Sequence, residues 1–261
     1  CLVKLGFGAQ CAGCNALISF YAKSNRIEDA LEVFDGMLHQ DIISWNSIIS
    51  GCTSNGLKSE AVQLFITMWI QGQELDSATL LGVLPACSQS CYWLLGRGLH
   101  GYSVKTGLIG ETPLANALLD MYSNCSDWHS TNQIFRSMDQ KNVVSWTAMI
   151  TSYTRAGLFD KVAGLLQEMV LDGIRPDVFA VTSALHAFAG DESLKQGKSV
   201  HGYVIRNGME KLLPVTNALM EMYVRCGNIE EARLIFDRVT NKDIISWNTL
   251  IGGYSRNNLA N

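Results

Sequence analysis

Apolar residues recur at a helical spacing in short stretches of this chain. In one stretch, four of them lie three or four residues apart and indicate one buried helix face: Trp45, Ile48, Ile49 and Cys52. We expect this helix to cover about 44–53, with Ser44 as its N-cap. Asn55-Gly56 is a signal that ends it.

A second helix follows directly, over about 59–69, and Gln71-Gly72 ends it. Its predicted buried positions have the same spacing: Ala61, Leu64, Phe65 and Met68. The stretch 42–76 is therefore a pair of helices joined by a short turn.

This pattern returns with a fixed period of 101 residues. Asn-Ala-Leu begins at positions 15, 116 and 217, and Ser-Trp followed by Asn or Thr begins at 44, 145 and 246. Each period divides into a standard, a long and a short pair of helices. The predicted units are 1–10 (partial, long), 11–41 (short), 42–76 (standard), 77–111 (long), 112–142 (short), 143–177 (standard), 178–212 (long), 213–243 (short) and 244–261 (partial, standard).

A single pair of such short helices cannot bury its apolar faces alone, so the pairs must stack on their neighbours. We therefore predict an all-α fold: a single α-solenoid superhelix of stacked helix-turn-helix repeats over 1–261, with about fifteen helices and no strands. The chain starts and ends within a repeat and begins at Cys1, so we expect it to be part of a longer protein whose targeting signal lies outside it.

Composition narrows the function. Hydrophobic residues make up 48% of the chain, and no apolar run approaches the roughly 18 residues that a membrane span requires. A net charge of −4 argues weakly against a binder of bulk polyanions, because nonspecific nucleic-acid binding depends on Lys and Arg. It leaves room for a basic strip within a groove.

The cysteines do not form a metal or disulfide pattern. Cys125 and Cys226 occupy one repeat position, which Ser24 fills in the first copy, so we interpret it as a small packing position. Cys11-x-x-Cys14 and Cys87-x-x-x-Cys91 each lack a second pair in phase, so we predict no metal site and reduced thiols in an intracellular compartment.

Most other recurring residues have a packing explanation. We expect His100 and His201 to be structural, since no acidic or Cys partner recurs with them. The remaining recurring positions are assigned to contacts between helices: Tyr21, Tyr122, Tyr223, Phe34, Phe135, Phe236, Ala30 and Ala232. Thr131 stands where the other copies have Ala and should pack slightly worse.

Three segments carry a resemblance to a known family: 44–51 (Ser-Trp-Asn-Ser-Ile-Ile-Ser-Gly), 217–223 (Asn-Ala-Leu-Met-Glu-Met-Tyr) and 226–233 (Cys-Gly-Asn-Ile-Glu-Glu-Ala-Arg). They resemble pentatricopeptide repeats, and the alternation of standard, long and short units resembles the plant subclass that mixes these types. The tetratricopeptide repeat, a peptide-binding scaffold, is the alternative. Its Trp-Leu-Gly-Tyr pattern is missing here.

The resemblance implies a modular single-stranded RNA-binding array in which the fifth and last residues of a repeat address one base. In this family the pair Asn and Asp is associated with uracil, and the pair Thr and Asp with guanine. The pair Asn and Asn is associated with a pyrimidine. The implied pairs are Asn15 with Asp41 (U), Asn46 with Asp76 (U), Asn116 with Asn142 (C or U), Thr147 with Asp177 (G) and Asn217 with Asp243 (U). Asn248 has no partner within the chain and suggests a pyrimidine.

The long units depart from this pattern, with Leu81 and Glu111 in one and Thr182 and Leu212 in the other. We interpret both long units as making no base-specific contact. The expected target is therefore 5′-UUNYGNUY-3′, with N at these two positions. The second residue of each standard unit resembles one that sandwiches bases, with a buried turn contact as the alternative: Ile43, Val144 and Ile245. Cations eight residues after the reading position fit phosphate contacts, with solvated surface charge as the alternative: Lys23, Arg155, Arg225 and Arg256.

Helix capping is the competing interpretation of the reading residues. Asn is a common N-cap, and Asn15, Asn116 and Asn217 would then be structural. Thr147 caps equally well, so its replacement of Asn does not decide between the two. The Asp that ends most units favours recognition.

Catalysis is not expected of this chain. Members of this family that direct C-to-U editing often carry a zinc deaminase-like domain, which needs H-x-E and P-C-x-x-C elements, and both are missing. The resemblance implies the targeting region of an editing factor in a mitochondrion or chloroplast, with a transcript and accessory editing proteins as partners and no cofactor, membrane or small-molecule substrate. An RNA stabilisation or splicing factor, or a protein-interaction scaffold, is the alternative.

Overall fold

The computed structural model describes residues 11–88 and 92–256, and these ranges form fifteen α-helices and no strands. The predicted partial unit 1–10, Cys91 and residues 257–261 lie outside the described residues. The chain divides into two compact units, residues 1–139 and 140–261.

The first unit contains eight of these helices. They are α1 (Cys11–Lys23), α2 (Ile27–Asp35), α3 (Ile42–Ser54), α4 (Lys58–Ile70), α5 (Ser77–Cys87), α6 (Trp93–Thr106), α7 (Thr112–Asn124) and α8 (Trp128–Ser137). The odd-numbered helices pack on one another in series, and each even-numbered helix packs on the helix before it. The unit is thus a two-layered stack of helix pairs.

The second unit repeats this arrangement with seven helices. They are α9 (Val143–Arg155), α10 (Phe159–Leu171), α11 (Val178–Gly190), α12 (Leu194–Arg206), α13 (Leu213–Arg225), α14 (Ile229–Arg238) and α15 (Ile244–Arg256). Helices α9, α11, α13 and α15 pack in series, with α10, α12 and α14 beside them. Within each unit, the predicted all-α solenoid of stacked repeats is confirmed.

The local predictions for α3 and α4 need two corrections. Helix α3 begins at Ile42 rather than Ser44, because the side chain of Asp41 accepts the backbone N–H of Ser44 and is itself the N-cap. On α4, Leu64 is only half-buried, and Val62 is buried in its place. The two stop signals are correct: Gly56 and Gly72 both adopt a positive φ directly after their helices.

The core follows the predicted apolar faces. Trp45, Ile48, Ile49 and Cys52 are all buried. Phe34, Phe135 and Phe236 are buried at their shared repeat position, as are Ala30, Ala232 and Thr131. The Thr131 hydroxyl donates to the carbonyl of Asp127 at 2.9 Å, so its polar group is satisfied within its own helix.

The recurring His and Tyr residues form pairs that the sequence analysis did not find. Nδ1 of His100 lies 2.9 Å from Oη of Tyr122, and Nδ1 of His201 lies 2.8 Å from Oη of Tyr223. In each pair the His lies on the second helix of a long unit and the Tyr on the first helix of the next. Burial lowers the pKa of both imidazoles, which favours their neutral form.

Candidate nucleic-acid interface

The predicted reading residues share one place in their helices. Each is the fifth residue of the first helix of its repeat: Asn15, Asn46, Asn116, Thr147, Asn217 and Asn248. An N-cap precedes the first helical residue, so capping does not explain these side chains. The capping interpretation of Asn15, Asn116 and Asn217 is therefore wrong.

The last residue of five units, by contrast, caps the next helix with its side chain. Asp41, Asp76, Asn142 and Asp177 are the N-caps of α3, α5, α9 and α11, and each accepts the backbone N–H three residues later at 2.8–3.0 Å. Asp243 accepts the N–H of Ser246 in the same way at 2.8 Å. These residues thus have a structural role that the sequence analysis did not assign to them.

Four of the predicted pairs are in direct contact. The Nδ2 amide of Asn46 donates to Asp76 at 3.0 Å, and that of Asn15 donates to Asp41 at 3.3 Å. In the second unit, Asn217 Nδ2 lies 3.2 Å from Asp243 Oδ1, and Thr147 Oγ1 donates to Asp177 at 3.3 Å. Stacking therefore brings together side chains that are 26 or 30 residues apart in sequence.

Three predicted reading residues remain: Asn116, Asn142 and Asn248. Asn116 is the fifth residue of α7 in the first compact unit, and Asn142 is the N-cap of α9 in the second. Asn248 is exposed on α15.

Three of the paired carboxylates, those of Asp41, Asp76 and Asp243, are held in their charged form. Burial raises the pKa of Asp41 and of Asp76, but hydrogen bonds from the following Ser or Thr and from the paired Asn outweigh it and lower the pKa below 3.8. The pKa of Asp243 is lowered chiefly by the backbone N–H of Ser246. At neutral pH each carboxylate is therefore an acceptor only.

The long units lack such pairs. Thr182, the fifth residue of α11, donates its hydroxyl to the carbonyls of Val178 and Phe179 in its own helix, at 2.9 and 3.1 Å. Glu111 accepts the hydroxyl of Ser77 at 2.5 Å. Neither contact involves the partner that the repeat pattern assigns to it.

The predicted base-sandwiching residues project into solvent. Ile43, Val144 and Ile245 are 59%, 55% and 60% exposed, so the alternative of a buried turn contact is wrong. Each lies three residues before a reading residue, on the same face of its helix. Phe179, at the same position of α11, is also exposed and was missed by the sequence analysis.

The predicted phosphate-contacting cations end the first helices. Lys23, Arg155, Arg225 and Arg256 are each the last residue of their helix, and all four are exposed. A cation at this end also interacts favourably with the helix dipole, which is a structural role for the same charge. Arg225 is ion-paired with Glu221 at 3.1 Å.

Two hydroxyl groups complete the Asn–Asp pairs. Thr79 Oγ1 lies 2.7 Å from Asn46 Oδ1, and Ser246 Oγ lies 2.8 Å from Asn217 Oδ1. Neither contact was predicted from the sequence, although a Ser or Thr three residues after the end of several units was a visible signal.

The described residues contain neither a cluster of metal ligands nor a membrane-spanning helix. No group of three or more His, Cys, Asp or Glu residues among them is placed to hold a metal ion. The Sγ atoms of Cys125 and Cys226 point at the carbonyls of Cys87 and Phe188, at 3.8 and 4.0 Å. Within the same ranges, no helix has the length and apolarity needed to cross a membrane.

The fold and the site together define a helical repeat protein with a polar pair at the boundary between successive repeats. Two family models match it: one described as the PPR repeat family covers 141–190, and one described as the PPR repeat covers 14–42, 43–72, 215–244 and 245–261. These ranges make up more than half of the chain. The chain belongs to the pentatricopeptide repeat family.

Similar proteins from Arabidopsis thaliana carry the family name. The chloroplastic pentatricopeptide repeat-containing protein DOT4 is 44% identical over 260 residues, which are 100% of this chain and 30% of DOT4. A mitochondrial pentatricopeptide repeat-containing protein is 35% identical, over 98% of this chain and 27% of its own length. The chain therefore spans less than a third of either relative.

Solved structures show the same fold. The crystal structure of the pentatricopeptide repeat protein PPR10 in complex with an 18-nt psaJ RNA element matches with a TM-score of 0.76 at 16% identity, over 93% of this chain and 37% of that chain. The crystal structure of PPR10 from maize matches with a TM-score of 0.65 at 18% identity, over 91% and 36%.

Proposed function

We propose that this chain binds single-stranded RNA in a sequence-specific way, with one repeat addressing one base. The observation that carries the proposal is the contact between the fifth and last residues of the repeats, seen in four repeats of this chain. PPR10, which shares the fold, was crystallised with an RNA element. We propose the division into standard, long and short units, and the target 5′-UUNYGNUY-3′, on the same basis.

The chemistry of the pair Thr147–Asp177 matches guanine. The Thr147 hydroxyl donates to Asp177 and keeps its oxygen lone pairs as acceptors, and Asp177 has a second carboxylate oxygen. The pairing edge of guanine carries two N–H donors, at N1 and N2, so two acceptors face two donors. Adenine has an acceptor at N1, which meets an acceptor at this site and is disfavoured.

The wider role is also a proposal. We propose that the chain is the targeting region of an organellar C-to-U editing factor and that it is not itself catalytic. Relatives named as chloroplastic and mitochondrial support an organelle as its location. Exposed cations that end the first helices support contacts with phosphates, despite the net charge of −4.

Binding of the chain to a labelled RNA containing UUNYGNUY, beside the same RNA with G changed to A, tests base recognition at fixed salt. We expect the G-containing RNA to bind more tightly, and Asp177→Asn to shift the preference toward A because an amide supplies a donor for adenine N1. Asn caps helices as well as Asp, so this variant keeps α11 stable.

Equal binding to both RNAs would contradict the assigned pairs. Binding to neither RNA would contradict RNA recognition altogether and would favour a protein-interaction scaffold.

A further inference from the structure

We propose that the hydroxyl groups of Thr79 and Ser246 are positioning groups that orient the amides of Asn46 and Asn217 and so set their preference for uracil over cytosine. This inference rests on the proposed RNA-binding function. Thr79 and Ser246 are each the third residue of the helix that follows the pair, and both are fully buried.

Each hydroxyl contacts both members of its pair. Thr79 Oγ1 lies 2.7 Å from Asn46 Oδ1 and 2.8 Å from Asp76 Oδ1. Ser246 Oγ lies 2.8 Å from both Asn217 Oδ1 and Asp243 Oδ1. The same three-membered arrangement is therefore built once in each compact unit.

The donors and acceptors allow one orientation of the amide. Asn46 Nδ2 donates to the Asp76 carboxylate, so a flipped amide would place its oxygen against a carboxylate oxygen and lose this bond. In the observed orientation, the amide oxygen accepts the single proton of the Thr79 hydroxyl in competition with Asp76 Oδ1, at 2.7 and 2.8 Å. The contact with the hydroxyl thus adds to the contact with the carboxylate and strengthens the preference for this orientation.

The fixed orientation determines what a base meets. The amide oxygen is turned to the hydroxyl, and the second N–H of the amide remains as a donor. Uracil offers carbonyl acceptors to this donor and an N3–H to the carboxylate. Cytosine has an amino group in place of one carbonyl and an N3 without a proton, so it would present a donor to the amide N–H and an acceptor to the carboxylate.

Two of the four pairs in contact lack this arrangement. The Ser44 hydroxyl donates to Asp41 at 2.8 Å, but Asn15 Oδ1 is buried and accepts no hydrogen bond. Asn15 is thus held only by its 3.3 Å contact with Asp41. After the Thr147–Asp177 pair, the equivalent position is Ala180, which has no hydroxyl.

The test measures base preference at the second nucleotide of the target, which the repeat 42–76 addresses. Affinities of the full 261-residue chain for RNAs with U or C at this nucleotide give a discrimination ratio. We expect Thr79→Val to lower this ratio by about fivefold, the value of roughly one net hydrogen bond. Thr79→Ser restores the hydroxyl and should keep the ratio.

Ser44→Ala is the matched control. It removes an equivalent hydroxyl–carboxylate bond, yet no contact with the Asn15 amide is lost, so the ratio at the first nucleotide should not change. Ser246→Ala, measured at the seventh nucleotide, repeats the test in the second unit if Thr79→Val fails to fold.

Unchanged ratios in both Thr79→Val and Ser246→Ala would overturn the positioning role while leaving RNA binding in place. A loss in Ser44→Ala equal to that in Thr79→Val would overturn it as well, since a capping defect would then explain both. Lack of binding by the unmodified chain would instead overturn the proposed function.

Discussion

The side-chain amide of Asn46 donates a hydrogen bond to the carboxylate of Asp76 at 3.0 Å, although 30 residues separate them in the chain. Asn46 lies one turn inside α3, and Asp76 caps α5, which packs directly on α3. The contact therefore forms only when successive repeats stack. It places an amide and a carboxylate together where the proposed function requires both.

Truncation of Asn46 tests whether this pair contacts RNA. We expect Asn46→Ala to weaken binding to UUNYGNUY by about fivefold or more, because one net hydrogen bond to the base is lost. Leu81→Ala is the control, since Leu81 holds the same position on α5 and makes no polar contact. Fluorescence anisotropy titrations at fixed salt measure both. Equal losses in the two variants would count against base recognition by Asn46.

Truncation of Ile43 tests the sandwiching role. Ile43→Ala should weaken binding to RNAs of any sequence by about three- to tenfold, because apolar contact with a base does not depend on its pairing edge. Ile70→Ala removes the same side chain from an exposed position at the end of α4 and should leave affinity unchanged. A sequence-dependent effect of Ile43→Ala would contradict this role.

The salt dependence of binding tests the cations. Each phosphate contact with a single strand contributes about 0.7 to the slope of log affinity against log salt. Arg155→Ala should therefore reduce this slope by about that amount. Arg206→Ala makes the same change in charge at the end of α12, which is the second helix of its repeat. This variant should leave the slope unchanged. If both variants reduced the slope alike, only the overall charge of the chain would matter.

The two His–Tyr pairs predict a dependence of stability on pH. Burial lowers the pKa of His100 and His201 from the ordinary value of 6.5, so the unfolded chain binds more protons than the folded chain near and below that pH. The free energy of unfolding should therefore fall as the pH falls through about 6.5, and the full stability should be present above it.

Thermal unfolding monitored by circular dichroism at several pH values between about 5.5 and 7.5 measures this effect. The double variant His100→Gln, His201→Gln should show a flatter dependence than the unmodified chain. His129→Gln changes an exposed His and should keep the original dependence. An unaltered pH profile in the double variant would show that other groups titrate.

Local sequence patterns determined much of this molecule. The 101-residue period, the apolar spacing and the Asn-Gly and Gln-Gly stops predicted helix pairs that stack, and the second-residue Ile43 and the reading residue Asn46 were found from their repeat positions. These features can be recognised in the sequence because each depends on residues close together in the chain and recurs in several repeats.

Stacking decided most of the rest. Which side chain meets Asn46 depends on a contact between helices, 30 residues apart in sequence. A short sequence pattern does not specify such distances. The choice of Asp41 over Ser44 as the cap of α3 is local, but it needed the backbone conformation that the structure shows. Only the tertiary structure shows the His100–Tyr122 pair and the contact of the Thr79 hydroxyl with the Asn46 amide. In both, donors and acceptors from successive helix pairs meet only after the backbones have packed.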